Sequence, residues 1–173
     1  MFFGLILVFA AVSVWFATVE PDGALEEWVF RYGYIGFFGA AFLGGLNFAI
    51  PSFHLAFIVP FLNVGLEIWA LVILGALGTT LADSVGYVLG HSGGAALGSL
   101  GRLRTWGEGA VAKYPRLAPV ILFAWVSFVP MPNEIFIIPA GLIRYGLLKT
   151  FTVVFAGNII FNLLALNFGN LFV

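Results

Sequence analysis

Two carboxylic acids, Asp83 and Glu134, interrupt long apolar stretches of the chain. On insertion scales a charged carboxylate at the centre of a membrane helix costs about 2.5–3.5 kcal/mol, so each acid needs a compensating role. Glu134 follows Pro132 by two residues, at a break in an apolar run, where an acid is poorly placed for packing alone. We therefore expect Glu134 to accept protons. The corresponding prediction is that the activity of the protein is coupled to protons and needs no cofactor.

Asp83 allows two interpretations. On a helix, Thr79, Gly86, Tyr87 and Gly90 share nearly the same face with it. The carboxyl group either belongs to a functional site, or it hydrogen-bonds a threonine or tyrosine and locks a helix contact that the small glycines allow. The sequence leaves both open.

Side-chain amides and one histidine complete the polar residues of the apolar segments. Asn158 and Asn162 are four residues apart on one helix face, and they either line a cavity or hydrogen-bond between helices. His54, three residues after Pro51, is either a packing residue or a group that titrates near neutrality. With no Cys and two His far apart in sequence, we expect no metal site and no enzyme activity.

Prolines break two of the long apolar stretches. The run 32–66 is interrupted near Pro51, and the run 117–143 is interrupted near Pro132. We interpret each run as a re-entrant hairpin, whose two half-helices enter and leave the membrane on the same side. The alternative is a continuous span that proline merely kinks. Non-helical backbone at membrane depth must be covered by protein or water.

Each break has the composition of a helix start. A proline fits the first turn, where its missing N–H is not needed. Ser52 after Pro51, and Asn133 after Pro132, offer side-chain oxygens to cap that turn. Two helix N-termini, each with about half a positive charge, would then point to the membrane centre from opposite sides. This arrangement suits an anionic headgroup.

Composition indicates a membrane protein. Of 173 residues, 62% are apolar and 9% are charged, against about 25% charged residues in soluble domains. The mean hydropathy is +1.10, and the net charge of −1 gives no basis for nucleic-acid binding. We expect one all-α membrane domain over 1–173, with two hairpins, about three full spans and a short interfacial helix. Its parts are a first transmembrane helix at 1–19, a first repeat at 32–91, an interfacial segment at 92–116 and a second repeat at 117–172.

Basic residues are concentrated in the segment 92–116 and after it. In the hairpin model one face carries Arg31 alone and the other carries the remaining lysines and arginines, so the positive-inside rule makes the second face cytoplasmic. The segment 92–116 is expected either as an amphipathic helix on the membrane or as a solvated loop. Arg144 and Lys149, on the same face, either bind a lipid phosphate or anchor their helices at the interface.

The two broken units match weakly at an offset of 81 residues, which places Pro51 on Pro132 and Gly65 on Gly146. One full span, 68–90, separates the hairpins, so the second is expected to be inverted relative to the first. Inverted repeats with broken helices at the membrane centre are a recurrent transporter plan.

Three stretches resemble the DedA family, also known as VTT-domain or SNARE-associated Golgi proteins. They are Leu81–Gly90 with its Gly-Tyr motif, Phe128–Tyr145 with Pro-Met-Pro-Asn-Glu and Pro-Ala-Gly, and Ile50–Ser52. The resemblance covers nearly the whole chain. It implies two opposed hairpins that move lipids or lipid-linked phosphates, undecaprenyl phosphate in bacterial relatives and phospholipids in eukaryotic scramblases. It also implies a prokaryotic plasma membrane as the location.

The chain departs from the family pattern at several positions. The first family hairpin often has Glu, the second often has two Arg, and Arg follows the Gly-Tyr motif; the corresponding residues here are Phe53 and His54, Ser127 and Asn133, and His91. Arginine binds phosphate with two parallel hydrogen bonds. Because these arginines are missing here, the resemblance predicts the fold more strongly than it predicts the substrate.

Together these features predict a lipid flippase or scramblase for phospholipid or polyprenyl-phosphate lipid. The alternatives are a secondary transporter of a small solute or ion, and a membrane scaffold or assembly factor that transports nothing. Membrane lipid is the expected partner, and the oligomeric state is open, a dimer included. The predicted site consists of Pro51, Ser52, His54, Asp83, Pro132, Asn133, Glu134, Asn158 and Arg144.

Overall fold

The computed structural model describes residues 23–46, 54–55, 58–93, 101–129 and 131–169. The elements within these ranges are α1 Gly23–Gly45, α2 Ile58–Asn63, α3 Ile68–Gly93, α4 Gly101–Lys113, α5 Leu117–Phe128, α6 Glu134–Leu142 and α7 Leu147–Gly169. The predicted all-helical architecture is confirmed for this part of the chain. The predicted helix at 1–19 and the break residues Asn47, Pro51, Ser52 and Pro130 lie outside the described residues.

Among the described residues, two helices are long and apolar enough to cross a membrane. They are α3, with 26 residues, and Leu147–Leu166 within α7, with 20 residues. At a rise of 1.5 Å per residue these are about 39 and 30 Å long, enough for a hydrocarbon core of about 30 Å. Helix α7 starts at Leu147, directly after the turn that follows α6.

Helix α3 is central and contacts α1, α6 and α7. Glycines allow close approach, because a Cβ atom at Gly78 would lie 2.8 Å from the Cβ of Ala41 in α1. A Cβ at Gly90 would overlap the backbone of Ile138 in α6. On the other side of the molecule, α5 packs on α7 where Gly157 faces Val126. Small residues therefore set these helix contacts, as in membrane helix pairs generally.

The first broken unit begins and ends near the N-terminus of α3. The backbone N–H of Glu67, the residue before α3, donates to the hydroxyl of Tyr34 in α1 at 3.0 Å. The ring of Phe37 contacts the rings of both His54 and Phe61, with centroids 5.8 Å away in each case. The chain after α2 thus lies beside α1.

The second broken unit begins and ends near the C-terminus of α3. The rings of Trp125 in α5 and Phe136 in α6 are 4.8 Å apart. Ala118, at the start of α5, and Ile143, just after α6, line one cavity. A Cβ at Gly141 would overlap the backbone of Tyr87, which places the end of α6 against the end of α3.

The short helices α2 and α6 end in the same kind of turn. The N–H groups of Leu66 and Tyr145 bond to the carbonyl oxygen five residues earlier, and those of Gly65 and Arg144 to the one three residues earlier. This Schellman pattern requires a left-handed residue after the helix. Gly65 has φ 90° and Arg144 has φ 54°. Arg144 therefore adopts a conformation that is uncommon for residues other than glycine.

Residues 101–113 form helix α4. Of the two alternatives for the segment 92–116, helix or loop, the helix is therefore correct for this part. Within it, Nε of Arg104 donates to Oε1 of Glu108 at 2.7 Å, across one helical turn. Gly107 lies against the side chain of Ile143, so α4 covers the end of α6. Trp106 and Tyr114 are exposed.

Candidate functional site

A polar cavity of about 40 Å³ lies beside the middle of α3, where the start of α6 and His54 meet α7. A space of this size holds only a few water molecules. The end of α1 and the break between α5 and α6 complete its wall. Its polar side chains belong to His54, Thr79, Asp83, Asn133, Glu134, Asn158 and Asn162.

Asp83 is the central hydrogen-bond acceptor of the cavity, and its side chain is 4% exposed. Its Oδ2 accepts from Nδ2 of Asn133 at 3.0 Å and lies 3.5 Å from Nδ2 of Asn158. The same Asn158 nitrogen donates to Oγ1 of Thr80 at 3.0 Å. Because a buried carboxylate is costly unless it is hydrogen-bonded, these amides are what allow Asp83 to be buried.

One of the two interpretations of Asp83 pairs it with a threonine or tyrosine, but its hydrogen-bond partners among the described residues are the amides of Asn133 and Asn158. The hydroxyl of Thr79 donates to the carbonyl oxygens of Gly75 and Ala76 in its own helix, at 3.0 and 3.2 Å. That bond satisfies the hydroxyl within the helix, which leaves the acid to the amides of α7 and of the break before α6.

Asn133 directly precedes α6 but does not cap it, so the predicted side-chain cap is wrong here. Its backbone is already helical, with φ −66° and ψ −23°, and its side chain makes no capping bond. Its side-chain nitrogen donates to Asp83, and because hydrogen bonds to a carboxylate are strong, this bond fixes the orientation of the side chain. Pro132 stands one residue before this position, ahead of the first turn, and lines the cavity.

Glu134 is the first residue of α6 and lies half-buried on the wall of the same cavity as Asp83. The first turn of a helix carries partial positive charge, which favours an acid at this position. A Cβ atom at Gly86 would lie 3.6 Å from Cγ of Glu134. Glu134 therefore lies beside α3 at Gly86, at ordinary van der Waals distance from the position of that Cβ.

His54 and Asn162 form a second buried hydrogen bond, between the first broken unit and α7. Nε2 of His54 lies 3.1 Å from Oδ1 of Asn162, whose Nδ2 donates to the carbonyl oxygen of Val72 at 3.2 Å. Because an amide oxygen only accepts, Nε2 carries the proton. Nδ1 then has no partner among the described residues, which makes it a candidate acceptor for water or a proton.

The structure brings most of the predicted site residues together. The cavity is lined by His54, Asp83, Pro132, Asn133, Glu134 and Asn158. Arg144 lies elsewhere, exposed beyond the far end of α6 beside Lys149. Pro51 and Ser52 are outside the described residues.

Two contributors were not in the predicted set. Asn162 could have been predicted to line the cavity, because it is four residues after Asn158 on the same helix face. Thr79 could have been predicted too, because it lies one helical turn before Asp83. Ser127, where the DedA pattern has arginine, is fully buried against Gly157, and its hydroxyl has no partner among the described residues.

The chemistry available in the cavity is that of acids, amides and one imidazole. None of its described lining residues is lysine or arginine. Two carboxyl groups in a space nearly free of water repel each other when both are charged. The site is therefore suited to hold a proton or a cation, and its amide N–H groups can bind an anion only once an acid is neutralised.

Comparison with known proteins returned no match: no protein-family model and no curated protein matches the sequence, and no solved structure matches the fold. The function therefore has to follow from the geometry of the cavity.

Proposed function

We propose that this chain is an integral membrane transporter of the lipid flippase or scramblase type, built on a DedA-like plan and coupled to protons. Its substrate is a lipid with a phosphate headgroup, and α4 lies on the cytoplasmic side of a plasma membrane. The observation that carries the proposal is the polar cavity, which places two carboxyl groups and three amides at the junction of two broken apolar units. Polar groups at membrane depth mark transport pathways.

Helix lengths and contacts support the two-hairpin arrangement. α5 has 12 residues and α6 has 9, so they are about 18 and 14 Å long, each about half of the hydrocarbon core. The first unit returns to the N-terminal end of α3 through Glu67, and the second returns to the C-terminal end beside Tyr87. Hairpins that start from opposite ends of α3 would meet near its middle, where the cavity lies.

Helix bounds also support an inverted repeat, at an offset of 79 residues instead of 81. The short helices end at Asn63 and Leu142, and the following spans begin at Ile68 and Leu147. This offset places Gly65 on Arg144, the left-handed residues of the two turns.

The same offset relates two side-chain hydrogen bonds of the cavity. It places His54 on Asn133 and Asp83 on Asn162, so the bond between His54 and Asn162 corresponds to the bond between Asn133 and Asp83. In each bond a residue at one hairpin tip contacts the span of the other repeat. A two-fold axis in the membrane plane produces this exchange of partners.

In this proposal, proton binding is coupled to lipid movement because the carboxylate of Glu134 and the phosphate of the lipid headgroup compete for the same place. Ionised Glu134 occupies the positive end of α6, the position that a phosphate oxygen would prefer. A proton on Glu134 removes its charge, so the headgroup can take that place and accept from the side-chain amide of Asn133. The cavity seen here is too small for a headgroup, so the hairpin tips must separate during the cycle.

The apolar rim of the cavity favours a lipid over a water-soluble substrate. Phe128 and Ile135, on either side of the break, are exposed, and so is Met131, which lines the cavity itself. A rim of this kind admits hydrocarbon beside a polar interior, so a lipid could pass its headgroup through while its tails stay in the bilayer.

The acidic lining favours a second candidate, a transporter of a small cation. Asp83 and Glu134 face a space of about 40 Å³ that has no basic side chain among its described residues. A small cation or a proton would fit there without any opening of the tips.

Lipid movement in liposomes tests the proposal. The purified protein is reconstituted with fluorescent phosphatidylglycerol, and the fraction of label reaching the other leaflet is followed by quenching from outside. Glu134→Gln fixes the uncharged state that admits the headgroup and removes the ionisation that would expel it. Movement should therefore slow roughly tenfold or more, because an interaction with a charged group is worth about 1.5–3 kcal/mol. Glu67→Gln, an exposed acid before α3, is the matched control and should leave the rate unchanged.

Each other outcome supports a different function. Dissipation of a pH or cation gradient without lipid movement would favour the cation transporter. If the wild type moves neither lipid nor ions, and Glu134→Gln lowers only the thermal midpoint, the scaffold interpretation gains instead.

A further inference from the structure

Two connected cavities lie far from the polar cavity, where α4 packs over the end of α6. One of about 250 Å³ is lined by apolar side chains of α4, α5 and α6. The other, of about 470 Å³, includes Arg144 and Lys149. Val111, Ile143 and Tyr145 line both, so the two spaces form one groove with an apolar part and a basic end.

The apolar part is open along the side between α4 and α5. Tyr114, Leu117 and Ile121 line it and are each about half exposed. Phe136 and Pro139 of α6 form its opposite wall. A concave apolar surface of this kind is suited to bind an acyl chain.

The basic end carries two exposed cations. Among the described residues, no acid forms an ion pair with Arg144 or Lys149. Glu108 lines the same cavity, but its carboxylate is engaged by Arg104 at 2.7 Å. The left-handed turn holds the backbone of Arg144 in place, through its N–H bond to the carbonyl oxygen of Gly141. The end of the groove is therefore electropositive.

We propose that this groove binds one anionic phospholipid as a resident ligand. An acyl chain lies in the apolar part between α4, α5 and α6, and the headgroup phosphate lies at Arg144 and Lys149. The charge complementarity is that of basic pockets that hold anionic headgroups at the cytoplasmic side of membrane proteins. The bound lipid thus contacts both α4 and the end of α6 at Arg144.

This site is independent of transport through the polar cavity. It shares none of its lining residues with that cavity. Asp83→Asn and Glu134→Gln should therefore leave lipid binding intact even where they stop transport, so failure of one proposal does not resemble failure of the other.

Native mass spectrometry of the full chain tests the site. The protein is incubated with an equimolar mixture of phosphatidylglycerol and phosphatidylcholine in mild detergent, and bound lipids are counted by mass. The wild type should retain one phosphatidylglycerol. Arg144→Gln and Lys149→Gln should each weaken its retention about fivefold, the effect expected for one surface cation. Arg31→Gln, an exposed cation on α1, is the matched control and should retain it.

A second pair of variants tests the apolar part. Ala118→Phe fills the groove and should reduce retention of phosphatidylglycerol, whereas Ala124→Phe, on the exposed face of the same helix, should not. Equal retention of both lipids by the wild type, or equal loss in Arg31→Gln and Arg144→Gln, would overturn the proposal. So would a protein dimer that Ala118→Phe abolishes, because the occupant would then be a second copy of the chain.

Discussion

Asp83 and Glu134 are held in different ways, and the difference assigns them different roles. Asp83 is almost fully buried and accepts a hydrogen bond from Asn133, with Asn158 beside it. Glu134 is half-buried at the positive end of α6. The first acid therefore fixes the start of α6 against α3, and the second is the acid that exchanges its proton during the proposed cycle.

Replacing Asp83 by Asn distinguishes the effect of its charge from the effect of its packing on stability and transport. Asparagine keeps the volume and an acceptor oxygen for Asn133, but it removes a buried charge whose desolvation is unfavourable. We expect the free energy of unfolding to change by less than about 1 kcal/mol, while lipid movement in liposomes falls. Ser84→Ala, one residue along α3 and outside the cavity, is the control. A large loss of stability with normal transport would make Asp83 a structural residue only.

The bond between His54 and Asn162 can be measured by a double-mutant cycle. Asn162→Leu leaves Nε2 of His54 without its partner, so the free energy of unfolding should fall by about 1–3 kcal/mol. His54→Leu in the same chain should recover part of that loss, because residues in contact are not additive. Additive effects in denaturant titrations would show that the two side chains do not interact.

At the scale of elements, glycines determine how closely the helices approach. Gly141 and Gly90 bring α6 against α3, and Gly157 brings α7 against α5. The polar groups of the cavity meet only because these backbones are close. A side chain at any of these contacts would move a whole helix, and with it the tip residues Asn133 and Glu134.

Alanine at Gly141 tests the contact of α3 with α6. Its Cβ would overlap the backbone of Tyr87, which cannot move as a flexible side chain can. Overpacking of this kind costs about 1–3 kcal/mol, and we expect a lower thermal midpoint. Gly36→Ala is the matched control, because nothing lies within 4 Å of its added Cβ. Alanine there should be neutral or stabilising by about 0.5–1 kcal/mol. Equal midpoints for both variants would contradict the close contact.

Much of the element order could be predicted from sequence, since prolines, glycines and uncharged runs mark helix breaks and spans locally. The long-range contacts could not be predicted. Asp83 and Asn133 are 50 residues apart, and no local pattern selects an amide over a nearby hydroxyl as the partner. The turn after α6 shows a second limit: Gly146 was the obvious match for Gly65 and is left-handed too, with φ 59°, but Arg144 takes the left-handed position that ends α6 in the Schellman turn. A non-glycine residue there leaves no signal in the sequence.

At the scale of the whole molecule, two side-chain hydrogen bonds connect each broken unit to a span that follows the other unit. Asn133 contacts α3 of the first unit, and His54 contacts α7 of the second. If both tips meet at mid-membrane, as we propose, opening toward one side loosens one bond while the other persists. The central claim is therefore that each broken unit enters and leaves the membrane on one face, and that the two faces are opposite.

Cysteine labelling tests this claim most directly, because the chain contains no cysteine of its own. Asn63, Lys113 and Lys149 are exposed positions outside the proposed hairpin interiors. Each is replaced singly by cysteine, and sealed vesicles of known orientation are treated with a maleimide that cannot cross the membrane. We predict that Lys113→Cys and Lys149→Cys react from the cytoplasmic side and that Asn63→Cys reacts from the opposite side. Reaction of Lys113→Cys and Lys149→Cys from opposite sides would mean that α5 and α6 together span the membrane once. That result would contradict the proposed hairpin.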